Sequence, residues 1–249
     1  MEKKAWYIGC SSDEVAERVI LIGDPGRVPR LSKYLDDVVL LPVNRGLATA
    51  TGTHEGVRVT LAAFGMGAPI AAIVLHELSE LGSRIFLRIG TTMCLPPTEI
   101  GDYVIAESAL RHEGTSYAYA SKDFPATADE DLVSALTEAA NEIGHTYHVG
   151  KFASYDGFYR DMFALDDTTA TRVRCNLDAL AKQGVIAVDM ETSALLTVGK
   201  VLGCKTGSFC IASVNGLTRM KINSEDLIHR EKKLMSAALD ALTSIPIPE

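Results

Sequence analysis

Apolar residues in this chain follow two rhythms. Short unbroken or alternating runs at 19–22, 38–41, 84–89, 103–106, 147–152, 185–188 and 205–214 read as strands. Runs at 47–53 and 57–63, joined by His54-Glu55-Gly56, read as a hairpin. Between them, apolar positions recur every three or four residues at 71–81, 129–142, 165–183, 192–202 and 223–244, the period of a helix with one buried face. A further short helix is expected over 25–34, with Pro25 in its first turn, and Gly82, Gly144 and Gly203 stand where helices stop. Strands that alternate with helices after an early hairpin predict an α/β protein, a three-layer α/β/α arrangement around a mixed central sheet. No linker, low-complexity stretch or repeat divides the chain, so residues 1–249 are expected to form one domain.

The arginines break this pattern in an informative way. In Ile85-Phe86-Leu87-Arg88-Ile89-Gly90-Thr91-Thr92 a guanidinium interrupts a buried-strand run. That placement is costly unless an anion meets it. Gly90-Thr91-Thr92 is expected to be a turn at the strand's exit, offering amides and hydroxyls. A second apolar run, 19–22, leads into Gly23-Asp24-Pro25-Gly26-Arg27, a glycine-rich turn followed by an arginine. Ligands of open α/β sheets collect at the carboxyl ends of strands. Two such ends, each with a glycine and an arginine, suggest one phosphate-sized anion.

Net charge is −8, which disfavours a nucleic-acid groove or an anionic membrane as partner. A small anion stays open, because local arginines override a mildly negative surface. The five cysteines show neither a C-x-x-C pair nor metal-ligand spacing and read as reduced thiols of a cytoplasmic protein. The N-terminal residues have no apolar leader, and no apolar run approaches membrane-spanning length. The six histidines form no metal set; His145 and His148 are three apart without an acidic partner pattern and read as structural or surface residues. Gly65-Met66-Gly67 lacks the third glycine of a dinucleotide fingerprint, and with Pro69 it more simply shapes a tight strand-to-helix entry.

Gly-Asp-Pro-Gly-Arg at 23–27, Gly-Met-Gly-Ala-Pro at 65–69, Leu-Arg-Ile-Gly-Thr-Thr at 87–92 and Asp-Met-Glu-Thr-Ser-Ala-Leu-Leu at 189–196 occur in that order. Together they resemble the nucleoside phosphorylase family that includes uridine phosphorylases and hexameric purine nucleoside phosphorylases. Phe86 to Thr92, His148-Val149-Gly150 and Ala153 to Tyr159 lean towards the uridine side. The resemblance implies phosphorolysis: inorganic phosphate, a co-substrate rather than a cofactor, attacks the ribose anomeric carbon and the base leaves. It assigns phosphate to Gly23, Arg27, Arg88 and Thr91, with Arg45 lent to a neighbouring subunit's phosphate. Glu191 would hold the ribose hydroxyls, Met190 would pack on the sugar, and Tyr7 stands nearest the family's N-terminal histidine at the 5′ hydroxyl. Thr92, Phe158 and Asn215 fall to the base. A homo-oligomer is implied, with a dimer as minimal unit and a hexamer as the family's assembly.

The base-reading positions depart from the family. Its Gln-x-Arg is Met162-Phe163-Ala164 here, its Val-Asn-Arg is Val214-Asn215-Gly216, and a Gly-Ala pair is Met93-Cys94. Where hexameric purine phosphorylases place a proton-donating aspartate, this chain has Asn215, which can donate a hydrogen bond but not a proton. The base pocket is therefore expected to be narrower or more apolar. A purine phosphorylase, a nucleosidase using water, and a non-catalytic nucleoside-binding homologue remain open at this point.

Overall fold

A computed structural model of the chain describes residues 4–248; residues 1–3 of the amino-terminal segment and residue 249 lie outside the described residues. The chain runs β1 (Arg18–Ile22), a 3-10 turn, α1 (Val28–Leu31), a second 3-10 turn, β2 (Asp36–Leu40), β3 (Thr49–His54) and β4 (Val57–Ala63). Next come α2 (Ala68–Glu80), β5 (Ile85–Cys94), β6 (Tyr103–His112), α3 (Glu130–Ile143) and β7 (Tyr147–Tyr155). A π-helical turn, Phe158–Met162, precedes α4 (Asp167–Lys182), β8 (Val185–Asp189), α5 (Thr192–Val201), β9 (Lys205–Asn215) and α6 (Ser224–Ser244).

The nine strands among the described residues form one mixed sheet, β2-β3-β4-β1-β5-β8-β7-β6-β9, and β9 returns to pair with β5. Five strands therefore close into a ring, and only the β2–β1 half stays open. β5 is the hinge of this arrangement. It runs parallel to β1 and to β9 and meets β8 antiparallel at its far end.

Both faces of the sheet are covered, and the two-residue period of β1 and β5 shows how. Ile20, Ile22, Ile85, Leu87 and Ile89 pack with Leu132 of α3 and Leu234 of α6. Val19, Leu21 and Phe86 point the other way, onto Leu75 of α2 and Leu195 of α5. Arg88 has the parity of Phe86, so its side chain leaves the strand on the α2/α5 side.

The mixed α/β architecture matches expectation, and two local expectations are corrected. Gly90-Thr91-Thr92 is not a turn: β5 continues to Cys94, with Thr91 opposite Ile211 and Thr92 opposite Ala212 of β9. A long parallel partner supplies ladder hydrogen bonds across these residues, and threonine suits a pleated surface. Residues 25–34 form no continuous helix but two 3-10 turns around a single α turn, with Asp24 Oδ1 accepting from the Gly26 N–H at 2.9 Å. Pro29 falls inside this stretch and offers no N–H for continued pairing.

Candidate active site

The ends of β1, β5, β8 and β9, the loop before α2 and the Phe158–Met162 turn surround a cavity of about 490 Å³. Gly23, Arg27, Arg88, Thr91, Thr92, Phe158, Met190 and Glu191 all line it. Eight residues singled out in the sequence thus converge on one space from separate segments.

Arg88 is the electrostatic centre. It is 5% exposed, and its Nη2 donates to Glu191 Oε2 at 2.8 Å and lies 3.3 Å from Asp189 Oδ2. Its Nη1 stands 2.6 Å from Cys210 Sγ. Burial alone would lower the guanidinium's pKa, but the Cys210 sulfur and the Asp189 and Glu191 carboxylates outweigh it and raise the pKa above the ordinary arginine value. Burial pushes the Cys210 thiol up, against the opposing pull of the Arg88 guanidinium. The buried Nε of Arg88 has no hydrogen-bond partner among the described residues. Gly90 makes the geometry possible: a Cβ there would lie 3.2 Å from Arg88 Nη1, so the guanidinium bends back over the space a side chain would fill.

Glu191, 5% exposed, stands at the N-cap of α5, where negative charge also meets the helix dipole. Its Oε1 accepts the Gly67 N–H at 2.8 Å, which ties it to the loop entering α2. Each carboxylate oxygen has two lone-pair directions, so one on each remains for a ligand hydroxyl.

Asp189 is the residue that sequence reasoning passed over. It accepts from Ser154 Oγ at 2.6 Å, from Thr192 Oγ1 at 2.5 Å and from the Thr192 N–H at 3.2 Å, while facing Arg88. It accepts the Glu191 and Thr192 N–H groups and so fixes the Glu191 turn beside the guanidinium. An aspartate three residues before a threonine at a helix start was the available signal.

Arg27 reaches the cavity from the first turn, its Nε 3.1 Å from Glu231 Oε1 of α6. The other oxygen of Glu231 takes Arg30 Nη2 at 2.5 Å, and this carboxylate is itself buried. Nothing in the helical pattern of 223–244 marked Glu231, since its role depends on a contact across 204 positions (231 − 27).

Three sequence-selected residues lie outside the lining. Tyr7 and Arg45 occupy another surface, where the Arg45 guanidinium carbon sits 4.8 Å above the Tyr7 ring. Asn215 Oδ1 accepts the Leu217 and Thr218 N–H groups at 3.0 and 2.9 Å, closing the turn after β9. His148 does have an acidic partner, Asp102 Oδ2 at 3.1 Å, and neither residue is part of the cavity lining. Among the described residues no cluster of His, Cys, Asp or Glu has the makings of a metal site. No helix among them is long and apolar enough to cross a membrane.

The profile of the phosphorylase superfamily matches residues 17–244. The chain belongs to that superfamily. A uridine phosphorylase of Thermococcus kodakarensis is 36% identical over 220 residues, which are 87% of this chain and 79% of that one. A guanosine phosphorylase of Halorubrum lacusprofundi is 34% identical over 203 residues, 81% of this chain and 80% of that one. The crystal structure of a uridine phosphorylase from Vibrio fischeri ES114 superposes with a TM-score of 0.85 at 28% identity, covering 98% of each chain. Relatives similar to this chain thus include proteins named for different bases.

Proposed function

We propose that this protein is a nucleoside phosphorylase of the uridine phosphorylase type, acting as one domain over residues 1–249 in the cytoplasm. Inorganic phosphate and a nucleoside are its substrates, with no metal or organic cofactor. A phosphate oxygen bonds to the ribose anomeric carbon as the C1′–N bond breaks, its electron pair leaving on the base. Free base and (deoxy)ribose 1-phosphate result.

One observation carries the reading: Arg27, Arg88 and Glu191 share a single cavity. The Gly23 turn, Arg27, Thr91 and the unpartnered Nε of Arg88 suit phosphate. The two open lone pairs of Glu191 suit the 2′ and 3′ hydroxyls, with Met190 against the sugar. Held beneath an oxocarbenium-like sugar, the anion is both nucleophile and counter-charge. A purine phosphorylase reading needs the Asn215 amide at the base, and Asn215 lies outside the cavity lining, so the pyrimidine reading is better supported.

Charge counting supports an oligomer. Around the anion site stand three cations, Arg27, Arg30 and Arg88, against four carboxylates, Asp24, Asp189, Glu191 and Glu231. A phosphate entering a site with a net charge of −1 (3 − 4) needs another cation. Arg45, exposed beside Tyr7, is the candidate to supply it to a second copy, and the proposed assembly has a dimer as minimal unit and a hexamer as its full form.

Base release from a panel of nucleosides, with and without phosphate, tests the reading. Turnover should require phosphate. Equal rates in phosphate-free buffer would assign the chain to hydrolysis, and binding without turnover to a non-catalytic role.

A further inference from the structure

Beyond the anion and sugar positions, the cavity lining includes Met93, Met162, Val188 and Val214, with Phe158 at its side. Sheet register makes three of these a continuous patch: Met93 pairs with Val188 of β8 on one side and Val214 of β9 on the other. Met162 is 2% exposed and Met93 4%. The Met93 thioether also occupies a place that a side chain elsewhere would claim. A Cβ at Gly216 would lie 2.7 Å from Met93 Sδ and 3.1 Å from Leu177 Cδ1, so a side chain at 216 and the present Met93 conformation exclude each other.

Polar groups at this end are few. Thr92 Oγ1 is buried with no hydrogen-bond partner among the described residues, and Ser213 Oγ is engaged with the Thr92 carbonyl at 3.3 Å. A uracil ring presents two carbonyls and an imide N–H along its edge. One free hydroxyl answers at most one or two of them.

We propose that this subsite recognises its base by apolar contact, with Met93 packed over Gly216 as the specificity-determining wall and Thr92 as the buried hydrogen-bonding group. Resting on the phosphorolysis reading, it names the substrate class: pyrimidine nucleosides carrying an apolar 5-substituent, ahead of the bare uracil ring and of guanine, whose longer polar edge one free hydroxyl cannot answer. A 5-methyl group buried against thioether and valine side chains gains roughly the transfer energy of one methylene, which is about a four-fold preference.

The test compares 5-methyluridine, uridine, cytidine and guanosine by kcat/KM with saturating phosphate, and by equilibrium binding of the same nucleosides without phosphate. 5-Methyluridine should lead uridine by about four-fold in both measurements. Met93→Ala, which removes the wall, should bring that ratio close to one, and Met162→Gln, which adds an amide to the lining, should turn it in favour of uridine. Guanosine or uridine preferred by the unaltered protein, or a ratio untouched by both variants, would overturn the inference. If no nucleoside turns over, phosphorolysis fails, and the binding ratio still decides the base subsite.

Discussion

The two ends of the cavity are built on opposite principles. At the anion and sugar end, Arg88, Asp189, Glu191 and Gly67 are joined by short hydrogen bonds inside the protein, and little is left unpaired. At the base end, methionine and valine side chains form the wall and one hydroxyl stands alone. A buried ion network is costly to break and tolerates little change, whereas an apolar wall can be repacked at modest cost. In the proposed assignment, the bond-breaking chemistry therefore sits on the rigid end and base selectivity on the adaptable one.

The largest expected effect separates these ends at once. Arg88→Ala should lower phosphate-dependent turnover about a thousand-fold or more while the chain still folds, by circular dichroism. It also leaves Asp189 and Glu191 buried together without their cation, so unfolding should need about 3–5 kcal/mol less. Base-end substitutions such as Met93→Ala should not approach that loss of turnover. Glu191→Gln keeps the shape and removes the charge that faces Arg88 and the sugar hydroxyls. A fall of about a hundred-fold in kcat/KM is expected, read from initial rates of base release.

Glu231→Gln tests whether the rigid end extends into α6. Weakening the carboxylate that holds Arg27 should raise KM for phosphate about ten-fold and leave KM for the nucleoside nearly unchanged. A parallel rise in both constants would point to general loosening instead. The smallest effect belongs to Asn215→Ala. With its oxygen closing the turn after β9, its loss should cost about 1 kcal/mol in chemical denaturation and leave the ratio between nucleosides unmoved. A changed ratio would bring Asn215 into the base subsite after all.

The same division decides what could be read from the sequence. Arg88 was conspicuous because a charge in an apolar run is improbable unless it is answered; Glu191 stood out only through the Asp-Met-Glu-Thr-Ser-Ala-Leu-Leu motif, since an acidic residue at a helix start is favoured by the dipole alone. Strand and helix positions followed from periodicity, as the alternation in β1 and β5 shows. Asp189 looked like a bystander, since its value lies in four contacts drawn from β7, α5 and β5. Glu231 and the pairing of Met93 with Gly216 are products of tertiary approach and leave no local pattern. The continuation of β5 through Gly90 was missed for a related reason: a glycine and two threonines look like a turn until β9 is alongside.

The Arg27–Glu231 contact has a consequence for the order in which the molecule is completed. Arg27 draws its carboxylate partner from α6, the last of the described elements in chain order, so this contact forms only after α6 has been made. The proposed grip on phosphate is therefore completed late, when α6 docks beside the first turn.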